Sequence, residues 1–222
     1  PHGLRRRQRQ MCIRDRSIID CVTSLGACNV PVDEWKLDIV ASGSQKGYMI
    51  PPGLSFIAMS QKAWEASEKS NLPKFYLNLK SYKKSLLSNS NPYTPAVNLV
   101  FALDEALKMM KEEGLDNIFL RHNKHKLAMS NAMKSLNLKL FANEKYLSPS
   151  ITAIQTGEID AEEFRKTIKK KFDILIAGGQ DRLKGKIFRV GHLGYVNDRD
   201  IITVISAISN TLLDLGKITV EQ

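Results

Sequence analysis

Several classes of protein are excluded by what this sequence lacks. No stretch approaches the roughly 20 consecutive apolar residues that a membrane-crossing helix requires, so a soluble protein is expected. Cysteine is scarce: Cys12, Cys21 and Cys28 are an odd number without metal-ligand spacing, which points to a reducing compartment rather than a disulfide framework. No secretory signal is present, and the terminal Val220-Glu221-Gln222 is not a peroxisomal address, so a cytoplasmic location is expected. Gly178-Gly179 lies in neither a G-x-G-x-x-G nor a P-loop pattern and reads as a turn. Internal repeats, an aromatic-rich sheet pattern and a helix-turn-helix signal are all missing.

What is present is a globular composition, with 43% hydrophobic and 25% charged residues in 222, enough for one or two domains. The formal charge is +10, which invites a polyanion partner. Its distribution tells against that reading. Six of the 33 basic residues and one of the 23 acidic ones lie in residues 1–16, so this short leader carries half of the surplus. The leader has no helical or strand period and no capping signal. Three readings compete: a basic nucleic-acid arm, a transit peptide, and a non-native leader, since MCIRDR resembles translated sequencing-adaptor read-through. The abrupt change of character at Ser17 favours the third.

From Ser17 onward, strands and helices alternate, giving an α/β or α+β chain. Apolar runs predict strands at Ile18–Val22, Asp38–Ser42 and Leu54–Met59. Ser60 caps a helix, and residues 71–95, rich in Pro, Asn and Ser, read as a long connection with a broken helix. A helix starts at Pro95, with Val97, Val100, Phe101, Leu103, Leu107 and Met110 at helical spacing, and stops at Gly114. The next covers about 116–136, capped by Asp116. Strands at 138–141, 151–155, 173–176 and 187–190 then frame a helix capped by Asp160. The last helix, Asp198–Leu215, sets Ile201, Ile202, Ile205, Ile208 and Leu212 on one face. The expected divisions are a leader at 1–16, one domain at 17–114 and a smaller one at 115–222.

Chemistry concentrates in Ser42-Gly43-Ser44-Gln45-Lys46-Gly47-Tyr48-Met49-Ile50-Pro51-Pro52-Gly53. A lysine directly after a buried strand, among small residues and before a Pro-Pro-Gly turn, is placed to be partly desolvated. Burial favours the neutral amine, the form that builds a Schiff base. The alternative is an ordinary loop lysine. Asp20 follows two isoleucines in an apolar run, where an ionised carboxylate is costly unless paired. Either it faces a cation, such as the ring nitrogen of a pyridine cofactor held by the lysine, or it ends the strand and caps a turn. His122 and His125 are three apart on a helix, but no third ligand completes a metal set, so a solvated face is expected and no metal site is assigned. His192, in a Gly-flanked turn, reads as structural.

The blocks IIDCVTSLG, VDEWKLDIVASGSQKGYMIPPGLSF, NPYTPAV and GGQDRLKGKIFRVGHLG, in this order and spacing, resemble the class V aminotransferases of fold type I, specifically the alanine/serine–glyoxylate group. The match runs from about Ser17 to Leu215. The resemblance implies a fold type I transferase, with part of the large-domain sheet followed by the small C-terminal α+β domain. It implies pyridoxal 5'-phosphate as cofactor, Lys46 as its Schiff-base lysine and proton carrier, and Asp20 as the carboxylate on the pyridine nitrogen. Gln45 falls near the cofactor phosphate. Thr94 matches a threonine that reaches the phosphate of the neighbouring subunit's cofactor, which implies a homodimer with shared sites; it is equally a candidate helix cap. Arg189 matches the arginine that clamps the substrate α-carboxylate.

The implied reaction transfers an amino group from alanine or serine to glyoxylate or pyruvate, without nucleic acid or membrane partners. Related desulfurases use a cysteine in the C-terminal half, and none follows Cys28. The family's half before Asp20 has no counterpart here, so a C-terminal fragment of impaired activity is expected. The rival readings are a nucleic-acid module using the arginine arm and a non-catalytic subunit that keeps the fold.

Overall fold

A computed structural model of the chain describes residues 16–219. The leader, with five of its six arginines and Cys12, lies outside the described residues. The described chain divides into two compact units. One holds the residues up to Val22 together with Val30–Met109; the other holds Thr23–Asn29 together with the residues from Met110 onward.

The first unit is built on a three-stranded mixed sheet, β1 (Ile18–Asp20), β2 (Ile39–Gly43) and β3 (Ser55–Met59), in that order. β1 runs parallel to β2, with Asp20 opposite Ala41, and β3 returns antiparallel, with Ser55 opposite Gly43. The helix α1 (Gln61–Lys69) starts where Ser60 Oγ accepts from the Ala63 N–H at 3.1 Å. Ser60 also donates its hydroxyl to Asp38 Oδ1 at 2.9 Å, and the Ser17 N–H donates to Asp38 Oδ2 at 3.0 Å. Burial alone would raise the Asp38 carboxyl; these two bonds, with the Lys62 and Arg16 charges, outweigh it and hold the group below its ordinary value. Asp38 thereby ties the entry of β1 to the start of α1. The 71–95 connection contains α2 (Leu79–Leu86), capped by Asn78.

The helix α3 (Val97–Glu113) begins at Val97 rather than Pro95. Its expected apolar stripe is largely open: Val97, Val100, Phe101 and Leu107 are exposed, while Ala106 and Met110 are buried. The sequence pattern identifies an apolar face but cannot say what covers it.

In the second unit, α4 (Leu115–Ser135) follows Gly114, whose φ of 82° makes the turn between helices. Asp116 is not its cap but lies in its first turn, next to the positive end of the helix dipole. The sheet has the order β4 (Lys139–Leu140), β5 (Ile151–Gln155), β7 (Ile187–Gly191), β6 (Ala177–Gly178), with all pairings antiparallel. The strand expected at 173–176 is displaced to β6, because Asp173 takes a left-handed conformation (φ 54°) that closes α5 (Ala161–Phe172). The last helix, α6 (Asp198–Asp214), buries Ile201, Val204, Ala207, Ile208, Thr211 and Leu212, whereas Ile202 is 66% exposed. That face follows the 3.6-residue period, which adjacent isoleucines at 201 and 202 cannot both satisfy.

α4, α5 and α6 cover one face of this sheet. Phe164 and Phe188 stack in the core with ring centroids 5.1 Å apart, beside Met133, Ile154, Ile168 and Ile208. Burying a side chain of this size contributes on the order of 1.5–3 kcal/mol.

Candidate active site

Two neighbouring parallel strands end side by side in the first unit, and ligands of open α/β sheets bind beyond such carboxyl ends. Asp20 is the last residue of β1, and the Cys21 N–H still donates to the Ala41 carbonyl at 2.8 Å. Asp20 is therefore not mid-strand, as one sequence reading had it. It is exposed, and its Oδ1 accepts from the Val22 N–H at 2.9 Å, ending the strand in a turn. Oδ2 has no hydrogen-bond or ion-pair partner among the described residues. The turn-capping alternative is what the structure shows, with one carboxylate oxygen left over.

Lys46 lies three residues past the end of β2, in the 44–54 loop of the β2–β3 hairpin. Ser44, fully buried, organises this loop. Its N–H donates to the Leu54 carbonyl at 3.1 Å, its hydroxyl donates to the Pro51 carbonyl at 2.8 Å, and the Leu54 N–H donates back to that hydroxyl at 3.2 Å. The Ile50 N–H reaches the Ser44 carbonyl at 3.3 Å, and the Met49 N–H closes on the Lys46 carbonyl at 3.0 Å, with Met49 at φ 62°. Gly53 is at φ +144°, which calls for glycine, and a Cβ there would also fall 2.4 Å from Leu99 Cδ1 and displace that side-chain end. This bonding fixes the backbone carrying Lys46. The side chain is half-buried, and its amine has no hydrogen bond or ion pair among the described residues. Gln45 beside it is exposed.

Two residues that the sequence did not single out tie the lysine loop to the Asp20 turn. Ser42 Oγ donates to the Cys21 carbonyl at 3.4 Å, and the Ser42 hydroxyl also acts on the Tyr48 phenol, working against burial to lower it. The Tyr48 ring packs on Phe56 with centroids 4.7 Å apart, and burial pushes its phenol above the ordinary value. The available signal was the serine at every second position of Ser42-Gly43-Ser44, small hydroxyl donors flanking a strand end.

Thr94 belongs to the same unit but is exposed on the segment before α3, and its hydroxyl has no partner among the described residues. It does not cap α3, which starts three residues later. Arg189 lies in the second unit, on β7 between Phe188 and Val190 and on the sheet face opposite their core side chains. Its Nε donates to the Gly178 carbonyl at 2.8 Å, and its terminal nitrogens form no ion pair among the described residues.

His122 and His125 depart from expectation. His122 and His125 are 0% and 1% exposed, not on a solvated face, and His192 is 0% exposed. His125 Nε2 meets Asp198 Oδ1 at 3.1 Å, and His192 Nε2 meets Thr152 Oγ1 at 2.9 Å. Burial pushes His192 down to about 4. No group of three or more His, Cys, Asp or Glu side chains is gathered for a metal among the described residues, and no described helix is long and apolar enough to cross a membrane.

The donor set at the strand ends suits a pyridine aldehyde phosphate. It offers an amine without an acid partner, a carboxylate with one unspent oxygen, and small residues between them. Residues 13–210 match the family model for aminotransferase class-V. The soluble hydrogenase small subunit of Synechococcus sp. is 56% identical over 199 residues, covering 90% of this chain and 52% of that protein. The serine–glyoxylate aminotransferase of Methylorubrum extorquens is 35% identical over 205 residues, covering 89% and 51%. The crystal structure of ureidoglycine–glyoxylate aminotransferase from Bacillus subtilis matches with a TM-score of 0.83 at 31% identity, over 89% of this chain and 52% of that one. The chain thus spans about half the length of the curated relatives it matches. Its fold is that of the type I pyridoxal-phosphate-dependent aminotransferases. The chain belongs to the class-V aminotransferase family.

Proposed function

We propose that this chain carries the lysine-bearing part of a transaminase that moves an amino group from a small amino acid, alanine or serine, to glyoxylate or pyruvate. The observation that carries the reading is Lys46, fixed by Ser44 beyond the end of β2, with Asp20 at the end of the adjacent parallel strand. Residues 17–114 are taken as part of the cofactor-binding large domain and residues 115–222 as the small domain.

Pyridoxal phosphate, when bound, supplies an electron sink for the pair left as the substrate Cα–H bond breaks. Lys46 Nζ, unpaired with any acid among the described residues, carries the cofactor and afterwards takes and returns the Cα proton. The unspent Asp20 oxygen holds a proton on the pyridine nitrogen. Gln45 would help to hold the phosphate, and Thr94 with its unspent hydroxyl would serve the phosphate site of a second copy. A homodimer is part of the proposal. It is supported by the exposed Leu72, Phe75, Tyr76, Leu77 and Phe101 on either side of Thr94, which would leave a large apolar surface on a lone chain. Arg189, anchored through Nε, keeps two terminal nitrogens for bidentate binding of the substrate α-carboxylate. A cytoplasmic location belongs to the same proposal, on the strength of the sparse cysteines.

The test is borohydride reduction of the protein with pyridoxal phosphate, followed by peptide mass mapping. The cofactor should be trapped on the Lys46 peptide and lost from it in Lys46→Ala, together with transamination of alanine or serine. Trapping at another lysine, or none, overturns the proposal. The similarity to proteins named as soluble hydrogenase subunits favours a second reading, a non-catalytic subunit that keeps the fold. Unchanged cofactor binding in Lys46→Ala would support that reading.

A further inference from the structure

The turn that follows Arg189 is gripped from one helix, at both polar groups of one residue. Gly194, at φ +83°, donates its N–H to His122 Nε2 at 3.1 Å, and its carbonyl accepts from Arg121 Nη1 at 2.9 Å. Arg121 Nη1 also reaches the Val196 carbonyl at 3.0 Å, while Nε and Nη2 hold both oxygens of Glu113 at 2.6 and 2.9 Å. The other side of the turn is pinned by the His192 N–H donating to the Ser150 carbonyl at 3.0 Å.

His122 can take its part in only one protonation state. Its Nδ1 lies 2.7 Å from the Ile118 carbonyl and must donate, so Nε2 accepts from Gly194 and the ring is neutral. The ring is completely buried. A second proton, taken from solvent onto Nε2, would set N–H against N–H at a fully buried ring.

We propose that neutral His122 is a positioning residue for the Gly191–Asn197 turn, and that acid releases this turn by protonating it. Every charged or titratable group around the ring bears on the switch: Arg121, Lys124 and His125 on α4, Glu113 at the end of α3, His192 after β7, and Asp198 at the start of α6. Burial is the largest influence and disfavours the cation; Arg121 and His125 act the same way, while the Ile118 carbonyl and Glu113 oppose them without reversing the direction. Release therefore falls below the ordinary histidine range. Because β7 runs directly from Arg189 into this turn, the latch sets the support under Arg189. That consequence rests on the carboxylate role proposed for Arg189; the latch itself does not.

Amide hydrogen exchange in the whole protein, corrected for intrinsic chemistry and followed from about pH 7.5 to about pH 4.5, tests the latch. Protection of the Gly194 amide should fall about tenfold or more beyond any fall it shares with Ile154, in mid-sheet. The midpoint should coincide with the titration of the His122 ring nitrogens read by NMR, and in His122→Gln the Gly194 amide should lose the pH dependence that it does not share with Ile154. If that variant fails to fold, coincidence of the two midpoints in the native protein decides the matter alone. A pH-independent Gly194 amide, or one whose midpoint differs from that of His122, overturns the proposal. KM for the amino donor should rise through the same midpoint with kcat little changed. A flat KM while Gly194 opens overturns the link to Arg189 and leaves the trapping at Lys46 unaffected.

Discussion

Ser44 is the residue on which the lysine loop depends. Replacing it with alanine removes the acceptor for the Leu54 N–H and the donor to the Pro51 carbonyl, two part-buried bonds made by a fully buried side chain. Each bond lost costs about 0.5–1.5 kcal/mol, so Ser44→Ala should lower the urea midpoint and weaken cofactor retention together. Unaltered stability would show that the loop has another support. The lysine was readable because a buried strand running into small residues and a Pro-Pro-Gly turn is a local pattern. Asp20 was only half readable. The apolar run through Ile18-Ile19 gives no sign that the strand stops at Asp20, since the bond that stops it is made by the aspartate itself to Val22. Ser42 and Tyr48 were missed because their link to Cys21 spans two strands 21 residues apart.

Among the elements, the last helix offers the sharpest test. Asn197 Oδ1 accepts from the N–H groups of Arg199 and Asp200, while Asp200 Oδ2 accepts from the Asn197 N–H, a reciprocal capping box at the start of α6. Asn197→Ala should cost about 1 kcal/mol and lower the thermal midpoint of the second unit. No loss would mean that core burial alone fixes the helix start. Two caps of the same kind, Ser60 and Asp160, were legible as polar residues directly before helical patterns. Asn197 was not, because the acidic Asp198 beside it looks like an equally good start. The face of α6 was misread for a related reason: Ile201 and Ile202 are alike in sequence, and only the sheet beneath decides which is covered.

On the scale of the whole molecule, the buried histidines make the second unit sensitive to acid. His192 takes up a proton near pH 6.5 in the unfolded chain but only near about 4 when folded, burial being the main cause. The unfolded state therefore binds the extra proton first. The stability is fully present above about pH 6.5 and drains away as the pH falls toward 4, by about 3 kcal/mol for this one group. Urea midpoints at several pH values should show the fall, and His192→Gln should flatten it. A native midpoint constant across that interval would contradict the burial of the ring. None of this was legible, since a Gly-flanked histidine and two histidines on a polar-looking helix carry no sign that three chain segments converge on them.

The hairpin that carries Lys46 has a kinetic consequence as well. The Leu54 amide finds its Ser44 partner only ten residues away, so the mount of the lysine is closed by contacts near in sequence. Loops of about ten residues close in roughly 10–100 ns, far faster than pairings between distant strands are found. Asp20 joins through a strand pairing 21 residues apart, Ile18 with Ile39. Refolding should therefore form the lysine's support first and bring the carboxylate to it afterwards, an order that follows from chain connectivity alone.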